Sequence, residues 1–274
     1  MKGIPKKAKI LLIKLRSIGD VVYNTAVYSP IKKCFPDAHL TVVVEKPSYD
    51  LVCDHPDVDE VLCFEKKLLW KQIKFYARLM LARYDVAIDM HEGTRGAVMC
   101  FLTCAPMRIG HKFAKRSFLY NAKLDFSDLK PEFPIDYQIA LIKKMGVPFV
   151  SVTPSVYISN PAKLRAKTLL SQNGIKEGDK YCVIHPGTKK IYDQWQYEKF
   201  ATLLETIPKK YKIKVVHPGT WKPLSEKNQV VYKNIECSPC YKHTRKLECY
   251  EGDAECKRVI EVEDVIKAVE ESLR

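Results

Sequence analysis

Short apolar runs alternate along the chain with stretches whose apolar residues recur every three or four positions. Residues 10–13, Ile-Leu-Leu-Ile, form a run suited to a buried strand. After the turn Arg16-Ser17-Ile18-Gly19-Asp20, residues 21–34 read as a helix, kinked or broken at Pro30 because proline lacks an N–H. Residues 39–44 are a β-branched strand, 47–54 a short helix and 59–64 a third strand. The spacing predicts a long helix over 66–83, with Leu69, Ile73, Tyr76, Ala77 and Met80 on one apolar face. A strand at 84–89 and a helix at 96–104 follow. Residues 107–112, Met-Arg-Ile-Gly-His-Lys, read as a basic loop, and 135–145 as a helix. This strand–helix–strand alternation argues for a parallel sheet with right-handed crossovers.

Residues 149–161 look like a linker, dividing the chain into domains 1–158 and 159–274. The second half predicts a helix at 162–173, a strand at 180–184, a helix at 197–207, strands at 212–216 and 229–232, and an amphipathic helix at 262–273. Three strands are few for a doubly wound domain. The tetrapeptide His-Pro-Gly-Thr occurs at 185–188 and again at 217–220, which is too little to define a repeat architecture.

Charge adds a constraint. Lys and Arg number 46 against 32 Asp and Glu, a net +14 spread over both halves. Such a chain favours anionic partners: phosphorylated substrates, an acidic membrane surface or nucleic acid. No aromatic-plus-basic reading platform favours nucleic acid. No apolar run approaches the roughly 18 residues of a membrane span, and the basic N-terminus has too short an apolar run for a signal peptide. The expected location is cytoplasmic, with peripheral contact at the inner membrane. The basic face of helix 66–83 (Lys66, Lys67, Lys71, Lys74, Arg78) would meet acidic lipid head groups or simply be solvated.

Candidate chemistry clusters at strand ends, where open α/β sheets bind ligands. Gly19 permits close backbone approach, and Asp20 stands at a helix start as a plain cap or as a reactive carboxylate. Asp89, His91 and Arg95 follow another strand, and Arg108, Lys112 and Arg116 suit phosphate groups. His185, Pro186, Gly187, Thr188, Lys189 and Lys190 form a strand–Gly-turn–helix phosphate cradle. Cys34, Cys53, Cys63, Cys100, Cys104 and Cys182 look like reduced core thiols. Cys237, Cys240, Cys249 and Cys256, with a CxxC pair, read as ligands of a structural zinc or an iron–sulfur cluster, with disulfides or free thiols as rivals.

The segments ILLIKLRSIGDVVYNTAVYSPIKKCFPDAHLTVVVEKPSYDLV, PDVDEVLCF, YDVAIDMHEGTRG, RIGH, VIHPGTKK and CSPC, in this order, resemble glycosyltransferase family 9, the lipopolysaccharide heptosyltransferases. The resemblance implies an α/β GT-B-like fold of two Rossmann-like domains facing a cleft, the second one shortened here. It implies inverting transfer of a heptose from ADP-heptose to the lipopolysaccharide inner core, with no cofactor required for catalysis. By resemblance Asp20 is the catalytic base. Gly19 and residues 185–190 would bind the donor phosphates, and Asp89, His91, Arg95, Arg108, Lys112 and Arg116 the anionic acceptor. Two departures stand out. The family's Lys two residues before the Trp that follows the phosphate loop is Asp193 here, before Trp195, and its Asp-Ser-Gly donor loop has no counterpart. A degenerate member that binds the core or a partner without turnover is the alternative.

Overall fold

The computed structural model describes residues 3–66, 69–125, 127, 134–148, 153–172, 176–177, 195–206, 231, 233, 235 and 255–273. The chain divides into two compact units, Met1–Lys163 and Leu164–Arg274. The first unit is built on a parallel sheet of six strands: β1 (Lys9–Ile13), β2 (His39–Glu45), β3 (Glu60–Phe64), β4 (Val86–Asp89), β5 (Met107–His111) and β6 (Ala122–Leu124). Their order is β3-β2-β1-β4-β5-β6. This is a Rossmann order, with a topological switch between β1 and β4, where successive connections leave to opposite sides.

Alternation along the strands explains why both faces are covered. Ile10 and Leu12 of β1 point to one core with Val42, Val44 and Ile88, while Leu11 and Ile13 join Val43 and Ala87 in the other. The first face is covered by α1 (Ile18–Thr25), α2 (Tyr28–Cys34) and α5 (Pro134–Lys143), the second by α3 (Leu69–Leu81) and α4 (Thr94–Leu102). A strand buried on both sides must be apolar throughout, which is the reason β1 and β2 read as continuous runs.

Several expectations shift. The helix expected over 21–34 is two helices, and the break falls at Ala26 and Val27 while Pro30 lies inside α2. The physical cause is still Pro30, whose ring would clash with the carbonyl four residues back, that of Ala26. Residues 107–111 are a strand and not a loop, and the short helix at 46–51 is a 3-10 turn. Of the cysteines expected in the core, Cys100 is buried but Cys34 and Cys104 are exposed.

In the second unit, α6 (Asn160–Gln172) continues from the first. Around α7 (Tyr197–Thr206), α8 (Glu255–Arg258) and α9 (Val262–Leu273), Trp195, Leu203, Ile260, Val265 and Val269 form a small core. Trp195 Nε1 donates to Ile260 O at 3.0 Å, and Lys199 Nζ donates to the carbonyls of Arg258 and Ile260, closing the end of α8. The strands expected at 180–184 and 212–216, and all but Val231 of the one at 229–232, lie outside the described residues.

Candidate active site

The parallel register places Ile13 beside Asp89, so the loops leaving β1 and β4 emerge together at the switch point. Lys14 joins them: its Nζ donates to Met90 O at 2.8 Å. The same ammonium stands 3.9 Å from Asp20 Oδ1. Asp20 lies in the first turn of α1, and its Oδ2 accepts the Ser17 N–H at 3.0 Å. It therefore caps the helix, as a carboxylate at this position does. The cap engages one oxygen. The side chain as a whole keeps 36% of its exposure.

Gly19 sits inside α1 with ordinary backbone geometry, and a Cβ built on it would meet nothing within 4 Å. Neither turn nor packing requires a glycine there. Gly96 is the opposite case. A Cβ would fall 2.2 Å from Asp89 Oδ1, so only glycine lets α4 approach the end of β4.

Asp89 is completely buried. Tyr120 OH donates to its Oδ2 at 2.6 Å and the His91 N–H to its Oδ1 at 2.8 Å. Desolvation raises its pKa to about 6, against the lowering effect of these hydrogen bonds. Its expected contact with an acceptor does not fit this burial. It holds the β4 loop from beneath, with Glu92 in the left-handed region at φ 59° as the chain turns into α4.

His91 folds back over Gly93, where a Cβ would lie 2.8 Å from the ring. Burial, followed by the positive charges of Lys14 and Arg16, lowers its pKa to about 4, and Lys66 adds to this while Glu45 opposes it. The imidazole is neutral near pH 7. Arg95, in the first turn of α4, lies with its guanidinium 5.4 Å from the Phe64 ring centre and is exposed.

Arg108 does not join this group. The register pairs it with Ala87, two positions below Asp89, and its guanidinium donates to Ala105 O at 2.7 Å and Leu119 O at 3.1 Å, both ahead of their strands. An arginine read as a loop residue is thus part of β5 and turned to the amino end of the sheet. Lys112 follows β5 at the mouth end and pairs with Asp125 at 2.6 Å, while Arg116 is exposed at the 3-10 turn Ser117–Leu119. Sequence reasoning missed Tyr120 and Lys14. Lys14 left one signal, a cation interrupting an apolar run; Tyr120 left none.

Residues 185–190, Asp193 and Cys237, Cys240 and Cys249 lie outside the described residues. Among the described residues, no group of three or more His, Cys, Asp or Glu side chains is placed to hold a metal ion.

This geometry can be set against known proteins. The sequence model of glycosyltransferase family 9 (heptosyltransferase) matches residues 72–216. The chain belongs to glycosyltransferase family 9. Among curated relatives, lipopolysaccharide heptosyltransferase 3 of Escherichia coli is 21% identical over 202 residues, covering 70% of this chain and 58% of that protein. The chain thus spans less than two thirds of that relative's length. Among solved structures, the family 9 glycosyl transferase from Veillonella parvula DSM 2008 superimposes with a TM-score of 0.66 at 22% identity, over 77% of this chain and 63% of that one. The E. coli ADP-heptose lipopolysaccharide heptosyltransferase II gives 0.60 at 19%, over 77% and 65%. The family 9 fold is α/β and GT-B-like, and the six-stranded parallel sheet is its Rossmann-like part here.

Proposed function

We propose that the chain is an inverting glycosyltransferase that moves a heptose, or a related sugar, from ADP-heptose or another nucleotide-sugar onto the lipopolysaccharide inner core. The supporting observation is a partly exposed carboxylate, Asp20, standing 3.9 Å from the Lys14 ammonium at the β1/β4 switch point. In the reaction the acceptor hydroxyl oxygen bonds to the anomeric carbon from the face opposite the nucleotide. The bond to the diphosphate breaks with its electron pair, and Asp20 takes the hydroxyl proton as general base. Its Oδ2 is held by the Ser17 N–H, which fixes the carboxylate and leaves Oδ1 for the proton.

The other roles follow from charge and space. Gly19, whose missing side chain nothing in the fold explains, lets donor phosphate reach the backbone at the start of α1. His185, Pro186, Gly187, Thr188, Lys189 and Lys190 complete the donor phosphate site, and the leaving diphosphate is stabilised by these lysines without a metal cofactor. Arg95, Lys112 and Arg116 receive the phosphates and carboxylates of the core, with neutral His91 as a hydrogen-bonding group. Asp89 and Tyr120 position the His91 loop. The reaction belongs on the cytoplasmic side, where nucleotide-sugars are available.

One observation favours a second reading. The missing Asp-Ser-Gly loop would leave a core-binding protein without turnover. The two separate in one experiment: purified chain, ADP-heptose and heptose-deficient core, with product followed by mass spectrometry and ADP affinity by calorimetry. The expected result is a core extended by one sugar, with ADP released in equal amount. Core binding without transfer from any nucleotide-sugar would overturn the enzymatic reading.

A further inference from the structure

Helix α3 carries two apolar faces, and the sheet uses only one. Phe75, Tyr76 and Leu79 pack inward, the two rings against Phe64 at 5.2 and 6.1 Å. The outer side is Leu69, Trp70, Ile73, Ala77, Met80 and Leu81. Leu69 is 73% exposed, Ile73 62% and Leu81 80%. Spacings of three and four make these side chains one continuous stripe along the helix. Single exposed apolar residues are ordinary; a contiguous stripe marks an interaction surface. Four of its residues are those the pattern assigned to a core helix's apolar face.

The border of the stripe says what covers it. Residues 66–83 contain Lys66, Lys67, Lys71, Lys74, Arg78 and Arg83 and no Asp or Glu. Lys71, Lys74 and Arg78 lie along one flank of the stripe and line, with Cys63, Glu65 and Phe75, a surface depression of about 240 Å³. At the boundary the Lys74 ammonium sits 4.8 Å from the Trp70 ring centre. An amphipathic indole between an apolar and a basic zone is the arrangement of a bilayer interface. Lys66, Lys71 and Arg78 do have partners, Glu45, Glu65 and Glu60. Such exposed pairs are weakly held and exchange for phosphate oxygens. Lys74 and Arg83 have no acidic partner among the described residues.

We propose that α3 docks this unit onto an anionic lipid surface, its apolar stripe lying about 5–10 Å into the head-group boundary and its cations on lipid phosphates. α3 is 13 residues long with cations beside its apolar stripe, so the contact is in-plane. A second copy is the poorer occupant. The stripe is about 20 Å long for its 13 residues and about 10 Å wide, roughly 200 Å² of surface, far short of the roughly 800 Å² per partner of a stable dimer. A two-fold contact would also bring two rows of cations together.

The test is co-sedimentation of the full chain with vesicles of phosphatidylcholine containing roughly 30 mol % phosphatidylglycerol, against pure phosphatidylcholine vesicles. Binding is expected to the anionic vesicles, at least about tenfold above the neutral ones, and to weaken at high salt. The double variant Leu69→Asp with Ile73→Asp should lose about tenfold or more at an unchanged melting temperature, since both side chains are exposed. Lys74→Glu should weaken anionic binding several-fold. Absence of binding to anionic vesicles, or equal binding by the variants, would overturn the proposal. So would a dimer in solution that the double variant dissociates, which would assign the stripe to a second copy.

Discussion

Asp89 and His91 are two residues apart and titrate in opposite directions. Asp89 ionises at about 6 in the folded chain against an ordinary 3.8. Between those values the native state keeps a proton that the unfolded chain has lost, so the stability from this residue is present at low pH and disappears as pH rises through about 6. His91 ionises at about 4 against an ordinary 6.5. There the unfolded chain binds the proton first, and stability is lost as pH falls from 6.5 toward 4. The two slopes oppose each other over the same window. Relative to the wild-type chain, Asp89→Asn is therefore expected to make stability rise more steeply with pH, and His91→Gln to make it fall, in urea midpoints taken between the cited values. Tyr120→Phe removes the donor to a buried carboxylate and should cost about 1–3 kcal/mol in the same measurement near pH 7. Asp20 could be picked out locally, because a glycine and a carboxylate at the start of a helix after an apolar run are neighbours in sequence. Tyr120 could not: its bond to Asp89 spans 31 positions and exists only once β5 and β6 are laid beside β4.

Among the elements, α4 is fixed by an absence. Gly96→Ala would force a methyl against the Asp89 carboxylate, and Gly110→Ala would do the same against the Tyr120 ring at 2.4–2.6 Å. Overpacking of this kind costs about 1–3 kcal/mol, and each variant should show it as a lowered thermal midpoint. Strands β1 to β4 were readable because a strand covered on both faces must be apolar. β5 was not, since Arg108 and Gly110 break its run for reasons that lie elsewhere: one turns to the amino end of the sheet, and the other makes room for an aromatic ring. In α3 periodicity identified the helix but not its orientation. With apolar residues on both sides, the sheet took the aromatic one, and Leu69, Ile73 and Met80 were left outside. The break before α2 was foreseen at its cause, Pro30, and displaced to the carbonyl that Pro30 excludes.

For the whole molecule, the fold class was legible because alternation of strand and helix restricts the topology. The position of the switch point was not, as it depends on which side of β1 the chain returns to after β3. The net charge of +14 agrees with the row of cations along α3, Lys71, Lys74 and Arg78. The role proposed for Asp20 rests on its place beside the ends of β1 and β4, next to the Lys14 ammonium. The decisive comparison is the rate of sugar transfer by the wild-type chain and by Asp20→Asn, with acceptor affinity measured alongside. The substitution keeps an oxygen for the Ser17 N–H and so preserves the helix start, but it cannot take a proton. Turnover should fall by about 10²–10⁴-fold with acceptor affinity nearly unchanged. Transfer at the wild-type rate by Asp20→Asn would contradict the assignment of Asp20 as the base.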